Sequence, residues 1–426
     1  MSKRLGKYKG RPIVTSNKRY PSALTEKELL KELGCECNED DGSVGGGSSS
    51  RPKWTGHADA EGLKAIGWTD EDIAYYQENG VNWNAEDDEY HKVSDDDKAL
   101  YGVLTASNIS TYKNRIVYLP KIDTSRVTNM SQMFYGCYSL ESIPQLDTSG
   151  VTSMKKMFSS CYALKCIPPL DTGNVTDMSE MFYDCFSLES VPQLDTKEVA
   201  TMNSMFYRCH IIKSIPQFDT GNVVDMGQMF YGCYALKNVP QLDTSSVTSM
   251  YKIFSNCYAL ESVPQLDTRN VTSMSQMFGG CGNLTSVPPL DMSSVVNASL
   301  MFTSCYSLVN APILDTSNVT NMESMFISCY NLAIVPQLDT SNATNINNIF
   351  NTCYSLTHAN IKNNKIAISL NGSPLLSKES LLYLINNEVA TSAITIKLAS
   401  YAYTRLANDP DIVAALANHP NISISA

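Results

Sequence analysis

The stretch Asp147-Thr-Ser-Gly-Val-Thr-Ser-Met-Lys-Lys-Met-Phe-Ser-Ser-Cys-Tyr-Ala-Leu-Lys-Cys-Ile-Pro-Pro-Leu170 decides the fold, because its pattern returns every 24 residues without an insertion or deletion. Three columns carry the period: aspartates from Asp123 to Asp339, phenylalanines from Phe134 to Phe350 and cysteines from Cys137 to Cys353. A strict period of this size is typical of a solenoid, whose units bury their apolar faces only against their neighbours.

Within one repeat, the apolar residues are spaced as on one face of a helix that begins after Asp147. The stretch Leu164 to Ile167 reads as a very short strand that ends at Pro168, which has no N–H to donate. The sequence therefore predicts an α/β solenoid of ten 24-residue coils, each a helix followed by a short strand. Side-chain oxygens at the start of each repeat predict structural helix caps at Asp147, Asp171, Asp195, Asp219, Asp243 and Asp267.

The cysteine and aspartate columns also have to be considered as metal sites. A metal needs several ligands close together, and one cysteine per coil with no matching histidine column does not offer that. Small, apolar, buried thiols are the simpler interpretation. A calcium ladder would use the aspartate column, but helix caps explain the same residues without an ion. We predict no metal and no cofactor.

An aromatic column follows the cysteines, and most of its members are tyrosines. These rings are candidates for stacking on sugars or for anchoring a protein partner. The alternative is that they cover the helix ends and pack on each other between coils. Both interpretations stay open, and the candidate partner- or glycan-binding residues are Tyr138, Tyr162, Tyr234, Tyr258, Tyr306, Tyr330 and Tyr354.

The repeat closely resembles the BspA-like leucine-rich-repeat group of bacterial surface proteins, whose pattern is Asp-Thr-Ser-x-Val-x-x-Met-x-x-Met-Phe-x-x-Cys-x-x-Leu-x-x-Ile-Pro. The resemblance covers about residues 120–360 and is weakest at His210, Gly282 and the terminal copy with Ile346 and Ile349. It implies a leucine-rich-repeat-like, non-catalytic, curved scaffold for binding or adhesion. Proteins of this group are usually exported to the cell surface.

Charge and composition narrow the classes of function. The formal net charge of −11 argues against broad nucleic-acid binding. No run of about 18 apolar residues predicts a transmembrane helix, and no apolar segment follows the basic start as in a signal peptide. The many unpaired-looking cysteines suit folding in a reducing cytosol.

Residues 1–37 form a predicted basic arm with a short helix, and residues 38–52 form an acidic and Gly/Ser-rich linker. The arm would dock on an acidic protein surface, bind nucleic acid or stay solvated. Docking of the arm on a protein is the favoured interpretation, because a flexible linker behind a basic arm suggests a tether. The candidate anchoring residues are Lys3, Arg4, Lys7, Lys9, Arg11, Lys18 and Arg19.

Residues 53–102 predict a small acidic helical module. Its segment from Gly67 to Tyr76 resembles a module that precedes such repeats in tail or fibre proteins of bacteriophages of gut bacteria. The solenoid is predicted over 103–360 and an α/β C-terminal cap over 361–426. Within the cap we predict strands at 366–370 and 394–398, and helices at 377–386, 401–406 and 410–417.

The five histidines are scattered, and no phosphate loop, nucleophile elbow or zinc motif occurs, so we predict that the chain is not an enzyme. The favoured hypothesis is a virion structural protein of tail, collar or head fibre type, assembled in the host cytoplasm. Its arm would bind other virion proteins, and its solenoid a host cell-surface protein or glycan. The alternatives are a bacterial cell-surface adhesin and a cytosolic protein-interaction scaffold. The oligomeric state is not predicted.

Overall fold

The computed structural model describes residues 124–426. The predicted basic arm, the linker, the acidic module and Asp123 therefore lie outside the described residues. From residue 124 to residue 357 the chain repeats one coil of 24 residues, and from residue 358 onward it forms strands and helices.

The predicted helix in each coil is wrong: residues 151–161 and their equivalents in the other described coils form consecutive turns. Every second N–H of this segment donates to a carbonyl of the next coil. The first of these bonds joins Met154 N–H to the Asp177 carbonyl at 3.0 Å. The N–H groups between them donate three residues back, as from Met157 to Met154 at 3.0 Å. The backbone is thus satisfied partly by the neighbouring coil, as it would be in a sheet.

A left-handed backbone at two positions per coil explains why no helix forms. Lys156 has φ 57° and Ser160 has φ 63°, and each is the third residue of a turn, as in type II geometry. A right-handed helix excludes such angles. Glycine occupies the Ser160 position in three described coils, at Gly136, Gly232 and Gly280, each with positive φ.

The predicted strand from Leu164 to Ile167 does not form either. Parallel bridges instead join equivalent residues of neighbouring coils, from Asn129 with Ser153 through to Asn321 with Asn345. Each bridged residue directly precedes the first methionine of its coil or the Ala298 or Ile346 that replaces it. Strand β1 (Ile334–Asp339) does form, two residues after Leu332, the equivalent of Leu164, and it pairs in parallel with β2 (His358–Lys362).

The core of the coils is a ladder of buried phenylalanine rings that runs from Phe134 to Phe350. Neighbouring rings are stacked with centroids 5.3 to 5.8 Å apart. The column cysteines are buried beside it and are not in disulfides. Each thiol from Cys161 to Cys353 donates to the carbonyl of a phenylalanine, as from Cys161 Sγ to Phe134 O at 3.1 Å. The interpretation of this column as buried structural thiols is confirmed.

The C-terminal region contains three helices, α1 (Lys378–Asn386), α2 (Ser400–Leu406) and α3 (Pro410–Asn418). Its strands β3 (Ile368–Leu370), β4 (Ile394–Leu398) and β5 (Ile422–Ser425) form a parallel sheet in that order. The helices and the first two of these strands lie where the sequence predicts them, whereas β5 was not predicted. Ser377 caps α1, and Asp409 caps α3 in front of Pro410.

The C-terminal region packs directly on the last 24-residue coils. Ser377 N–H donates to the Thr357 carbonyl at 2.8 Å, and Ala359 N–H donates to Ser380 Oγ at 3.0 Å. Gly372 lies so close to the coil backbone that a Cβ there would be 2.1 Å from Thr352 N. This junction leaves no room for a side chain at residue 372.

Candidate binding surface

The residue after each column cysteine belongs to an ordered row of side chains on the surface, which we call the tyrosine stripe. Each of these residues lies in a tight turn: Tyr138 N–H donates to Gly136 O at 2.9 Å, and Leu140 N–H donates to Cys137 O at 3.1 Å. The turn sends the cysteine into the core and the next side chain outward. The stripe consists of Tyr138, Tyr162, Phe186, His210, Tyr234, Tyr258, Gly282, Tyr306, Tyr330 and Tyr354.

Neighbouring rings of the stripe stack on each other. The centroids of Tyr138 and Tyr162 are 4.9 Å apart, and those of Tyr234 and Tyr258 are 5.0 Å apart. The stack continues through Phe186 and His210, and it resumes beyond Gly282 with Tyr306, Tyr330 and Tyr354. Ring faces are therefore covered by neighbouring rings, and this favours the packing interpretation for the faces.

The same tyrosines remain open to solvent, from 38% exposed at Tyr162 to 54% exposed at Tyr354. Because stacking covers the faces, the exposed parts are the ring edges and the hydroxyl groups. Burial raises the pKa of Tyr258, and nearby Tyr234 and Tyr306 raise it further. The Tyr258 hydroxyl thus stays protonated near neutral pH and can both donate and accept hydrogen bonds.

A second aromatic ladder, which the sequence analysis missed, runs beside the stripe in the middle coils. Tyr183 and Tyr207 stack at 4.4 Å, and Tyr207 and Tyr231 stack at 4.6 Å. Burial, together with the neighbouring Tyr207, raises the pKa of Tyr183 to about 12. The signal was present in the sequence, because each of these tyrosines directly follows a column phenylalanine.

Charged residues lie between the two ladders in the same coils. Arg208 Nη1 lies 3.2 Å from Asp184 Oδ1, and the guanidinium carbon of Arg208 lies 5.0 Å from the centroid of the Phe186 ring. Burial raises the pKa of Asp184 although Arg208 opposes this shift, and burial lowers the pKa of His210. His210 Nε2 is buried and makes no hydrogen bond. This part of the surface is polar and ionic.

The aspartate column lies along a different edge of the coils. The predicted helix caps are wrong, because each aspartate of the described coils is followed by a turn and not by a helix. Asp147 Oδ1 accepts from Ser149 N–H at 3.1 Å, and the same bond recurs at Asp171, Asp195, Asp219, Asp243 and Asp267. An open groove of about 830 Å³ follows this edge beside Asp195 and Asp219. Within residues 124–426, no group of three or more histidines, cysteines or acidic residues is placed to hold a metal ion.

The buried cysteines have little chemistry to offer. Burial raises the pKa of Cys281 and of Cys353 to about 12, and it raises the pKa of the other column thiols from Cys161 to Cys329. A thiol is a nucleophile and a metal ligand only as the thiolate. The structure thus brings the stripe residues together on one surface, while the candidate anchoring residues from Lys3 to Arg19 lie outside the described residues.

Residues 105–215, 185–287, 209–313 and 272–371 each match one protein family, whose description is "Mycoplasma protein of unknown function, DUF285". These matches together span more than half of the chain. They support the resemblance to BspA-like leucine-rich-repeat proteins, and they give no support to a bacteriophage origin. No curated protein matches the chain.

Several solved leucine-rich-repeat structures are similar to parts of the chain. A leucine-rich-repeat protein from T. pallidum is 20% identical, with 42% of this chain and 69% of that one covered and a TM-score of 0.23. One from Bacteroides ovatus is 18% identical, with 62% and 86% covered and a TM-score of 0.26. One from Eubacterium ventriosum is 16% identical, with 60% and 82% covered and a TM-score of 0.29. At these TM-scores the structures do not superpose as wholes, and nothing about function is transferred from them.

The helices of the described chain are all short. None within residues 124–426 has the length and apolar character needed to cross a membrane.

Proposed function

The chain belongs to the DUF285 family, and from that premise we propose that its solenoid is a non-enzymatic recognition surface that attaches to a macromolecule on a cell surface. The single observation that carries this proposal is the tyrosine stripe, a row of ordered and partly exposed aromatic side chains that is interrupted at Gly282. Tyrosine and tryptophan are enriched at interfaces, because one ring supplies both apolar contact area and a hydrogen-bonding group.

The stacking of the rings makes the stripe suitable for binding. A flexible side chain loses about 0.5–1.5 kcal/mol of conformational freedom when a partner immobilises it. In the stripe, each ring is already stacked on at least one neighbour, as Tyr330 is at 5.0 Å from Tyr306 and 5.6 Å from Tyr354. A partner that contacts these edges and hydroxyls meets a surface that is ordered before it binds.

A direct test compares three forms of the full chain in a cell-binding assay. The fluorescently labelled wild type is mixed with bacterial cells, beginning with a Mycoplasma, the genus that the family description names. We expect the combined Tyr234→Ala, Tyr330→Ala and Tyr354→Ala variant to lose most of the retained fluorescence. Tyr401→Ala is the matched control, because Tyr401 is 63% exposed but lies on α2, outside the stripe. Equal retention of all three forms would contradict the proposal.

The location of the protein is a finer proposal. We propose that it is carried on a virion and attaches the particle to its host, with residues 1–37 as the anchor to other virion proteins. The basic residues of this arm and the Gly/Ser-rich linker that follows support a tethered display. A bacterial cell-surface adhesin is the alternative, and the family description, which names Mycoplasma, favours it.

Mass spectrometry of purified particles and of fractionated host cells separates the two locations. We expect peptides of this chain in the particles. Recovery only from the cell envelope would reject the virion proposal and establish the adhesin, and it would leave the role of the tyrosine stripe unchanged. Recovery only from the cytosol would reject both locations.

A further inference from the structure

The tyrosine stripe has one break, at Gly282, between Tyr258 and Tyr306. On either side the rings stack in pairs at 5.0 Å, between Tyr234 and Tyr258 and between Tyr306 and Tyr330. Two coil spacings separate Tyr258 from Tyr306, which corresponds to about 10 Å. Elsewhere in the described stripe a ring fills the equivalent position, whereas here one ring is missing and the Tyr306 ring leans toward the gap.

We propose that this break is a binding slot for one neutral pyranose ring of a cell-surface saccharide. Sugar rings bind aromatic side chains through the flat face of the aromatic ring, and an unbroken stack has none to offer. At Gly282 the facing sides of Tyr258 and Tyr306 have no ring between them. This inference rests on the proposed recognition function and names the chemistry of one ligand for it.

The surroundings of the slot select a sugar over an aromatic side chain of a protein. Residues 254–260, 278–285 and 302–309 contain no charged side chain and are rich in Ser, Thr, Asn and Gly. The neighbouring coils place the amide of Asn256 beside Gly280 and the side chain of Thr303 beside Gly279, two and three residues before Gly282. Sugar hydroxyls need such neutral partners once they leave water, because an unpaired buried hydroxyl is costly.

The charged half of the stripe offers a different chemistry. Around Phe186 and His210 the stack is unbroken, and the pair of Asp184 and Arg208 lies beside it. A neutral ring would find covered faces and ionic groups there. The slot is therefore confined to the coils that contain Tyr258, Gly282 and Tyr306.

The backbone allows the slot to be closed by a single substitution. Gly282, unlike Gly280 with φ 79°, does not adopt a left-handed conformation, so a side chain is tolerated there. A Cβ at residue 282 would lie 3.3 Å from Tyr306 Cδ2, because that ring leans over the glycine. The Cβ of Gly282→Tyr requires the Tyr306 ring to give by a few tenths of an ångström, and the added ring would then fill the gap in the stack.

The test measures binding of neutral saccharides by saturation-transfer NMR and titration calorimetry with the full chain. The probes are cellohexaose, a β-1,4-galactan hexamer and chitohexaose, with N-acetyltryptophanamide as the aromatic alternative. We expect at least one saccharide to bind, and Gly282→Tyr and Tyr258→Ala each to weaken it about tenfold or more. Tyr401→Ala should bind as the wild type does. We expect circular dichroism and thermal unfolding to show that Gly282→Tyr remains folded, because the ring it adds occurs in other coils.

Three outcomes would overturn the slot: no saccharide binds the wild type, Gly282→Tyr binds as tightly as the wild type, or only N-acetyltryptophanamide binds. The cell-binding assay keeps this failure distinct from that of the recognition function. If cells retain the wild type and Gly282→Tyr equally but release the three-tyrosine variant, the slot is wrong and the recognition surface stands. If cells retain the wild type no better than the three-tyrosine variant, the recognition function itself is wrong.

Discussion

The 24-residue coils and the C-terminal region are both stacks of parallel turns of chain, yet only the C-terminal region contains helices. In the C-terminal sheet, the partners Ile368 and Ile396 are 28 residues apart, as are Ile394 and Ile422. In the preceding coils the bridged residues, such as Ser153 and Asp177, are 24 residues apart. The longer return path leaves room for the α-helical segments, whereas the shorter coil closes through consecutive turns.

The same residue type therefore acts differently in the two regions. Asp409 is the N-cap of α3 and accepts from Asp411 N–H at 3.0 Å. Asp147 makes the same type of bond, to Ser149 N–H at 3.1 Å, but no helix follows. A side-chain oxygen that binds the N–H two residues later is common to helix caps and isolated turns. Such a bond alone does not distinguish the two.

The largest expected effect comes from removing a ring from the core of the coils. Phe206→Ala deletes a ring that is stacked with Phe182 at 5.5 Å and Phe230 at 5.8 Å. We expect the free energy of unfolding to fall by about 3–5 kcal/mol, because the cavity cannot close in a stack whose neighbours are held by the backbone. Chemical denaturation followed by circular dichroism measures this loss. A change near zero would mean that the phenylalanine ladder does not form the core.

The contact between the C-terminal region and the 24-residue coils can be tested by adding one methyl group at Gly372. Gly372→Ala places a Cβ against the backbone of Thr352 and Asn351, and we expect a loss of about 1–3 kcal/mol. Gly150→Ala is the matched control, because the nearest atom to its Cβ is Val127 O at 3.8 Å. Equal melting temperatures for the two variants would show that the C-terminal region does not pack on the coils in this way.

The absence of helix in the described coils can be tested by asking whether glycine or alanine at residue 160 gives the more stable protein. Ser160 has φ 63°, and there glycine should be more stable than alanine by about 1 kcal/mol. In a helix the order reverses, with alanine better by about 1 kcal/mol. Ala414→Gly in α3 supplies that reversed case within the same chain. Thermal unfolding of Ser160→Gly, Ser160→Ala and Ala414→Gly measures all three effects. If Ser160→Ala were more stable than Ser160→Gly, the result would support a helix in the coil.

The smallest expected effect depends on pH. Burial raises the pKa of Asp184, so in the unfolded chain this carboxyl ionises at a lower pH than in the folded protein. Wild-type stability should therefore fall relative to Asp184→Asn as pH rises from the unfolded value near 4 through the raised folded value. We expect a difference on the order of 1 kcal/mol or less, measured by denaturation between pH 3 and pH 7. A difference that grows in favour of the wild type would show that the pairing with Arg208 outweighs burial.

Much of the candidate surface could be predicted from spacing alone. The residue after each cysteine stands out as an aromatic column, and the structure places these residues side by side. The second ladder of Tyr183, Tyr207 and Tyr231 was harder to see, because it occupies only some coils. The distinction between covered ring faces and exposed edges was out of reach, since it depends on the distance between coils and the tilt of each ring.

The sequence by itself determined the period, the buried columns and the C-terminal helices. Periodicity and burial are properties of residue type and spacing, and the helices after Ser377 and Asp409 carry their own caps. The tertiary structure decided the conformation of the 24-residue coil. Its apolar spacing of three and four residues suits a helix, but the glycine or polar residue at the Ser160 position takes a left-handed backbone that a helix excludes. Each coil then gains hydrogen bonds from its neighbour, such as Met154 N–H to Asp177 O, which an isolated repeat cannot make.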